Sequence, residues 1–175
     1  MLDIFNLLIS VPRGMERRGC SEVRYLLGEL GDEEAVVGRT QVSGIIVART
    51  KLDPFQVIEG LRKILAEKPD EFRFTLKFIP IEKVVRTELE EIRLAARELS
   101  SKINADEKFR VTLEKRHSEL EGMSIVKVAA GEIDRKVDLK NPDKILLIET
   151  LGHHTGLSVI KATDILSIFK EKVYL

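Results

Sequence analysis

The sequence predicts an α+β fold of two consecutive halves, and three observations carry that prediction. Strand-like and helix-like periodicities alternate through the first half in the order βαββαβ. In the second half the order becomes αβαββ. The run Ile145 to Ile148 is apolar at every position, as a central strand covered on both faces must be.

Phe5 to Val11 reads as the first strand. Ser21 to Leu30 sets Val23, Leu26, Leu27 and Leu30 on one helical face, and Gly31 stands where a left-handed residue ends that helix. Ala35 to Val37 and Gly44 to Ala48 are two short strands separated by turn-compatible residues. Asp53-Pro54-Phe55-Gln56 supplies a capping carboxylate, a proline for the first helical position and a glutamine placed to close a capping box. That helix runs to about Lys68, before Pro69. Phe72, Phe74, Leu76 and Phe78 then alternate with Arg73, Thr75 and Lys77, the period of a half-buried strand. This order is that of a ferredoxin-like unit, assigned to residues 1–79.

The second half, 80–175, opens with two expected capping boxes, Thr87 with Glu90 and Ser118 with Glu121. Each precedes helical apolar spacing: Leu89, Ile92, Ala96 and Leu99, then Met123, Val126, Ala130 and Ile133. Between them Lys108 to Arg116 alternates as a strand that buries Phe109, Val111 and Leu113. Val137 to Leu139, Ile145 to Leu151 and Leu157 to Ile160 complete the strands. With no long linker or repeat, the halves are expected to pack against each other.

Composition bounds the function. Lysine plus arginine (29) equal aspartate plus glutamate (29), so attraction to a polyanion must come from local clustering. The single cysteine, Cys20, excludes an internal disulfide and a multi-cysteine zinc site, and points to a reducing, cytoplasmic location. Met1 to Val11 is interrupted by Asp3 and Asn6, lacks a basic leader and is far too short to span a bilayer.

No P-loop, G-x-G-x-x-G fingerprint or G-x-S-x-G elbow is present. Cys20 follows Arg17, Arg18 and Gly19, which would favour a thiolate, but a small residue at a helix entrance is the simpler reading. His153 and His154 lie in a polar loop between strands and would need further ligands to hold a metal. Basic residues remain. Arg110, Thr112 and Arg116 share the solvent-facing parity of their strand, so two guanidiniums along one edge are placed to grip successive phosphates. Lys115 adds charge at its end, and Lys136, Lys140 and Lys161 converge there if the strands beginning at Val137 and Leu157 lie alongside. "SGIIVART" offers no aromatic platform for stacking bases, so binding is expected through phosphates and shape.

The ordered series "TELEEI", "FRVTLEKRHSE", "KVDLKNPDKILLIE" and "GLSVIKA" resembles the THUMP domain, an RNA-binding module of tRNA-modifying proteins. "KVDLKNPD" with the apolar strand after it, "GLSVIK", Lys115 and Arg116 are its most specific parts. The preceding βαββαβ unit looks like the ferredoxin-like domain that accompanies it. About a dozen residues follow "GLSVIKA", which leaves no room for a catalytic domain. The resemblance is therefore to stand-alone THUMP adaptors. It implies a non-enzymatic protein, without cofactor or metal, that holds tRNA by its acceptor stem and 3′ end for a separate RNA cytidine acetyltransferase. The expected contacts are Arg110, Lys115, Arg116, Lys136, Lys140 and Lys161, with Lys77 from the ferredoxin-like half. The tight turn expected at Asn141-Pro142 would fix Lys140 at the sheet rim, with Asp138 in a structural bond or salt bridge. Alternatives are a small-molecule sensor, with Gly14, Gly44 and "GHHTG" lining a pocket, and an RNA-binding subunit or an enzyme of another tRNA modification.

Overall fold

The computed structural model describes all 175 residues, which divide into two compact units. In the first, β1 (Leu7–Ser10) leads into α1 (Glu16–Glu29), β2 (Val36–Arg39), β3 (Ile45–Arg49), α2 (Pro54–Glu67) and β4 (Lys77–Pro80). In the second, β5 (Lys83–Arg86), α3 (Leu89–Leu99), β6 (Lys108–Glu114), α4 (Gly122–Ala130), β7 (Lys136–Val137), β8 (Lys144–Leu151) and β9 (His154–Ile160) follow in order. The chain then returns to the first unit with β10 (Leu166–Ser167) and α5 (Ile168–Val173).

The first sheet has the strand order β10-β4-β1-β3-β2, all neighbours antiparallel. Its first four strands in the sequence, β1 to β4, carry the βαββαβ connectivity of the ferredoxin-like fold. Apolar positions of α1 and α2, among them Val23, Leu26, Leu27, Val57, Ile58 and Leu61, pack with Leu7, Ile9, Ile46 and Phe78 in one core. Phe72 meets Phe78 edge-on, ring centroids 6.5 Å apart. At the end of α1 the Asp32 N–H reaches the Leu27 carbonyl at 2.9 Å, and Gly31 takes φ 106°, the left-handed stop its position in the sequence requires. Asp53 caps α2 by accepting the N–H groups of Phe55 and Gln56.

Two expectations for this unit change. α1 begins at Glu16, so Cys20 lies inside the helix and is buried, 4% exposed. Phe74 to Leu76 do not form a strand. The Glu22 carboxylate of α1 accepts the backbone N–H groups of Arg73, Phe74 and Thr75 instead, which supplies the partners a sheet neighbour would have given. Residues 164–175, which the sequence groups with the second half, pair Leu166 and Ser167 with Phe78 and Lys77.

The second sheet has the order β5-β9-β8-β6-β7, with β6 parallel to both β7 and β8 and the other pairs antiparallel. β8 is central, as its continuous apolar run requires. Ile92, Ala95, Ala96 and Leu99 of α3 and Ile125 and Ala129 of α4 pack over Phe109, Leu146, Ile148, Leu157 and Val159. β5 precedes α3 and does not stand out in the sequence. Neither expected capping box forms: α3 and α4 start after Glu88 and Glu121, without side-chain caps. Thr87 Oγ1 bonds Thr155 Oγ1 at 2.8 Å, and Ser118 Oγ accepts the Leu120 N–H at 3.1 Å. Gly152, at φ 63°, and His153 make the two-residue turn between β8 and β9. No helix is long and apolar enough to cross a membrane.

Candidate nucleic-acid interface

β6 enters its sheet with Phe109, Val111 and Leu113 turned to the helical core. Arg110, Thr112 and Glu114 therefore face the other way. The segment joining β7 to β8 is stapled to the start of this strand. Asp143 N–H donates to the Lys108 carbonyl at 2.9 Å, and Lys108 N–H donates to Asp143 Oδ2 at 2.8 Å. Arg110 Nη1 donates to the Leu139 carbonyl at 3.0 Å. Asp138 Oδ1 accepts the N–H groups of Asn141 at 2.9 Å and Lys140 at 3.1 Å. The loop is thus shaped by an aspartate turn, with Lys108 Nζ 3.9 Å from Asp138 Oδ2, and not by a turn centred on Asn141 and Pro142.

The two N–H groups, Asn141 first and Lys140 second, hold the Asp138 carboxyl below the usual aspartate range. A depressed folded value means that the turn's stabilisation is complete above the ordinary pKa of about 3.9 and is lost as pH falls through the folded value. The amide resonances of Lys140 and Asn141 will titrate together, with a midpoint below that of an unstructured aspartate peptide. A midpoint at or above the peptide's would show that Asp138 does not shape the loop.

These bonds place the loop's cations. Lys136 stands in register with Lys108 across β6 and β7, and both Lys136 and Lys140 are exposed and outside any salt bridge. Between them Val137 and Leu139 are exposed apolar residues, 52% and 64% accessible. Lys161 follows Ile160, the partner of Ile145 near the start of β8, and so lies at the same end of the sheet. There its charge helps, after the Asn104 N–H and Lys144, to hold the Glu107 carboxyl below its usual range. Arg110, Lys136, Lys140 and Lys161 are thus gathered at one end. β9 reaches it by pairing with β8, not with β6 as the sequence suggests.

The other expected contacts lie elsewhere. Arg116 lies two residues beyond the end of β6. Arg116 Nη1 pairs with Glu149 Oε2 at 2.5 Å, and Glu149 is 1% exposed. Its guanidinium is the counterion of a buried carboxylate. Lys115 Nζ donates to the Leu120 carbonyl at 3.0 Å, and Lys77 belongs to the first unit. Sequence reasoning missed Lys108, whose register with Lys136 is the only signal of its place, and the exposed Leu139 held by Arg110. Arg135 has no free role, since it donates to the carbonyls of Ile103, Asn104 and Asp134. His153 occupies the hairpin turn and His154 opens β9. No group of three or more histidine, cysteine or acidic residues is placed to hold a metal ion.

Residues 86–160 match the THUMP domain family. No curated protein matches the sequence. Among solved structures, PH1313 from Pyrococcus horikoshii Ot3 superposes with a TM-score of 0.63 at 19% identity, over 90% of this chain and 55% of that one. TrmN from Thermus thermophilus gives 0.55 at 16% identity, over 87% and 44%. A 4-thiouridine synthetase, solved as a complex with RNA and bound ATP, gives 0.58 at 16% identity, over 94% and 42%. At these identities the likeness is one of fold. The chain spans about half the length of the solved structures it matches.

Proposed function

Residues 86–160 of this protein match the THUMP domain family, and from that match we propose that it is a non-enzymatic tRNA-binding adaptor. It holds tRNA by the acceptor stem and 3′ end and presents it to a separate enzyme, the tRNA cytidine N4-acetyltransferase. The observation that carries this reading is the rigid loop that groups Arg110, Lys136 and Lys140 at one end of the sheet, with Lys161 beside them. Exposed lysines on a fixed backbone meet phosphates without ordering the loop first, and Val137 and Leu139 between them offer apolar contact to an unpaired 3′ nucleotide. The superposition on a 4-thiouridine synthetase bound to RNA gives further support.

A second reading keeps the RNA site and changes the chemistry it serves. This chain covers 44% of TrmN and 42% of the synthetase, which favours a role as the RNA-binding part of a different tRNA modification system. The test is acetyl transfer to tRNA with the chain alone, the acetyltransferase alone and both. The adaptor reading expects no transfer by the chain alone and a rate with both well above that of the acetyltransferase. Equal rates with and without the chain would favour the second reading, and transfer by the chain alone would make it an enzyme.

A further inference from the structure

The first unit contains a cavity of about 250 Å³ lined by Arg17, Cys20 and Arg24 of α1 and by Val37, Gly38 and Arg39 of β2. Arg17, Cys20 and Arg24 stand at helical spacings of three and four, on one face of α1. Val37 faces the core, and Arg39, two residues on, turns to the same side of β2. Arg24 Nη2 donates to the Val37 carbonyl at 3.0 Å, which fixes one guanidinium across the gap between helix and strand. All three arginines are exposed and none enters a salt bridge.

Glu16, at the start of α1, has its carboxyl held below the usual range by its own backbone N–H and those of Gly14 and Gly44, and it is occupied with those groups. Burial pushes the Cys20 thiol up, against the opposing pull of Arg24 and Arg39, so it lines the cavity as a neutral group. Three cations therefore line a cavity with no carboxylate among its lining residues.

We propose that this cavity binds a phosphoryl group, with Arg17, Arg24 and Arg39 as its ligands. Planar guanidiniums match tetrahedral oxyanions through paired N–H donors, and a pre-fixed one such as Arg24 loses little freedom on binding. The volume lies below the roughly 300–1,000 Å³ of pockets that enclose a whole small molecule, so the site takes a phosphoryl group and leaves what it is attached to outside. The inference does not rest on the RNA reading, since none of these residues lies in the second unit. The phosphoryl group belongs either to an RNA backbone or to a free phosphate ester.

The single cysteine supplies a local probe in the intact chain. Cys20 alkylation is followed with inorganic phosphate, with chloride at matched ionic strength and with tRNA. Phosphate at ten times its dissociation constant should slow the reaction about tenfold, and the protection should vanish in Arg17→Ala/Arg39→Ala. Broadening of the inorganic phosphate ³¹P resonance by the protein, also lost in that variant, reads the same site if the buried thiol reacts too slowly. Circular dichroism establishes that the variant is folded. Protection by tRNA at far lower concentration assigns the RNA backbone as the source, whereas protection by phosphate alone assigns a free ester; both uphold the site. Absence of both effects, equal protection by chloride, or effects unchanged in the variant would overturn it.

Discussion

Replacing Arg116 with alanine will destabilise the protein by about 3–5 kcal/mol, because it removes the guanidinium that pairs with the buried carboxylate of Glu149. For a chain of this size that loss lowers the melting temperature by about 6–20 °C. Glu149→Gln in the same background should recover most of it, since a neutral amide is far less costly to bury than a carboxylate. The backbone bond from Arg116 N–H to Thr150 Oγ1, 2.7 Å, survives both changes, so the comparison isolates the ion pair. Urea or thermal denaturation of the wild type, the single variants and the double variant decides. A loss under about 1 kcal/mol in Arg116→Ala, or no recovery in the double variant, would mean that the pair is incidental. Weakened tRNA binding by Arg116→Ala is therefore evidence for an RNA contact only after correction for the unfolded fraction.

The contrast between Arg116 and Lys140 shows what the sequence can reveal. Parity along β6 and the short loop after β7 are local, but the grouping of Arg110 with Lys136 and Lys140 also needs β7 to pair with β6, which the sequence offers only as a condition. The partner of Arg116 lies 33 positions away and reaches it only through the parallel register of Glu114 with Glu149. No local pattern encodes that. The capping boxes failed for a similar reason: Thr87 has a better partner in Thr155, a tertiary bond that outcompetes the local cap. Phe74 to Leu76 alternate like a strand, yet Glu22 takes the N–H groups of Phe74 and Thr75 from a helix some fifty residues upstream. β10 was invisible because two residues are too few to show a period, and β5 because Lys83-Val84-Val85-Arg86 does not alternate. The ferredoxin-like order, by contrast, was legible from caps and apolar spacing, and the Gly31 stop and Asp53 cap are realised where the sequence puts them.

The second large effect concerns the loop itself. Each lysine that neutralises an RNA phosphate releases counterions, so log affinity falls linearly with log salt and the slope counts contacts. Lys136 and Lys140 are exposed and hold no salt bridge, so their removal leaves the fold intact and acts on binding alone. Lys136→Ala and Lys140→Ala should each reduce the slope by about 1, and the double variant by about 2. The wild-type slope should correspond to about four to six phosphate contacts.

The most direct measurement is a set of salt titrations of the wild type and the double variant on intact tRNA, tRNA trimmed of its unpaired 3′ nucleotides, and duplex DNA. The proposed site predicts tightest binding to intact tRNA, weaker binding after trimming, weaker still to DNA, and a slope reduced by about 2 in the variant. Equal affinity for all three ligands, with the same slope in both proteins, would contradict it, leaving nonspecific polyanion binding that bypasses the loop.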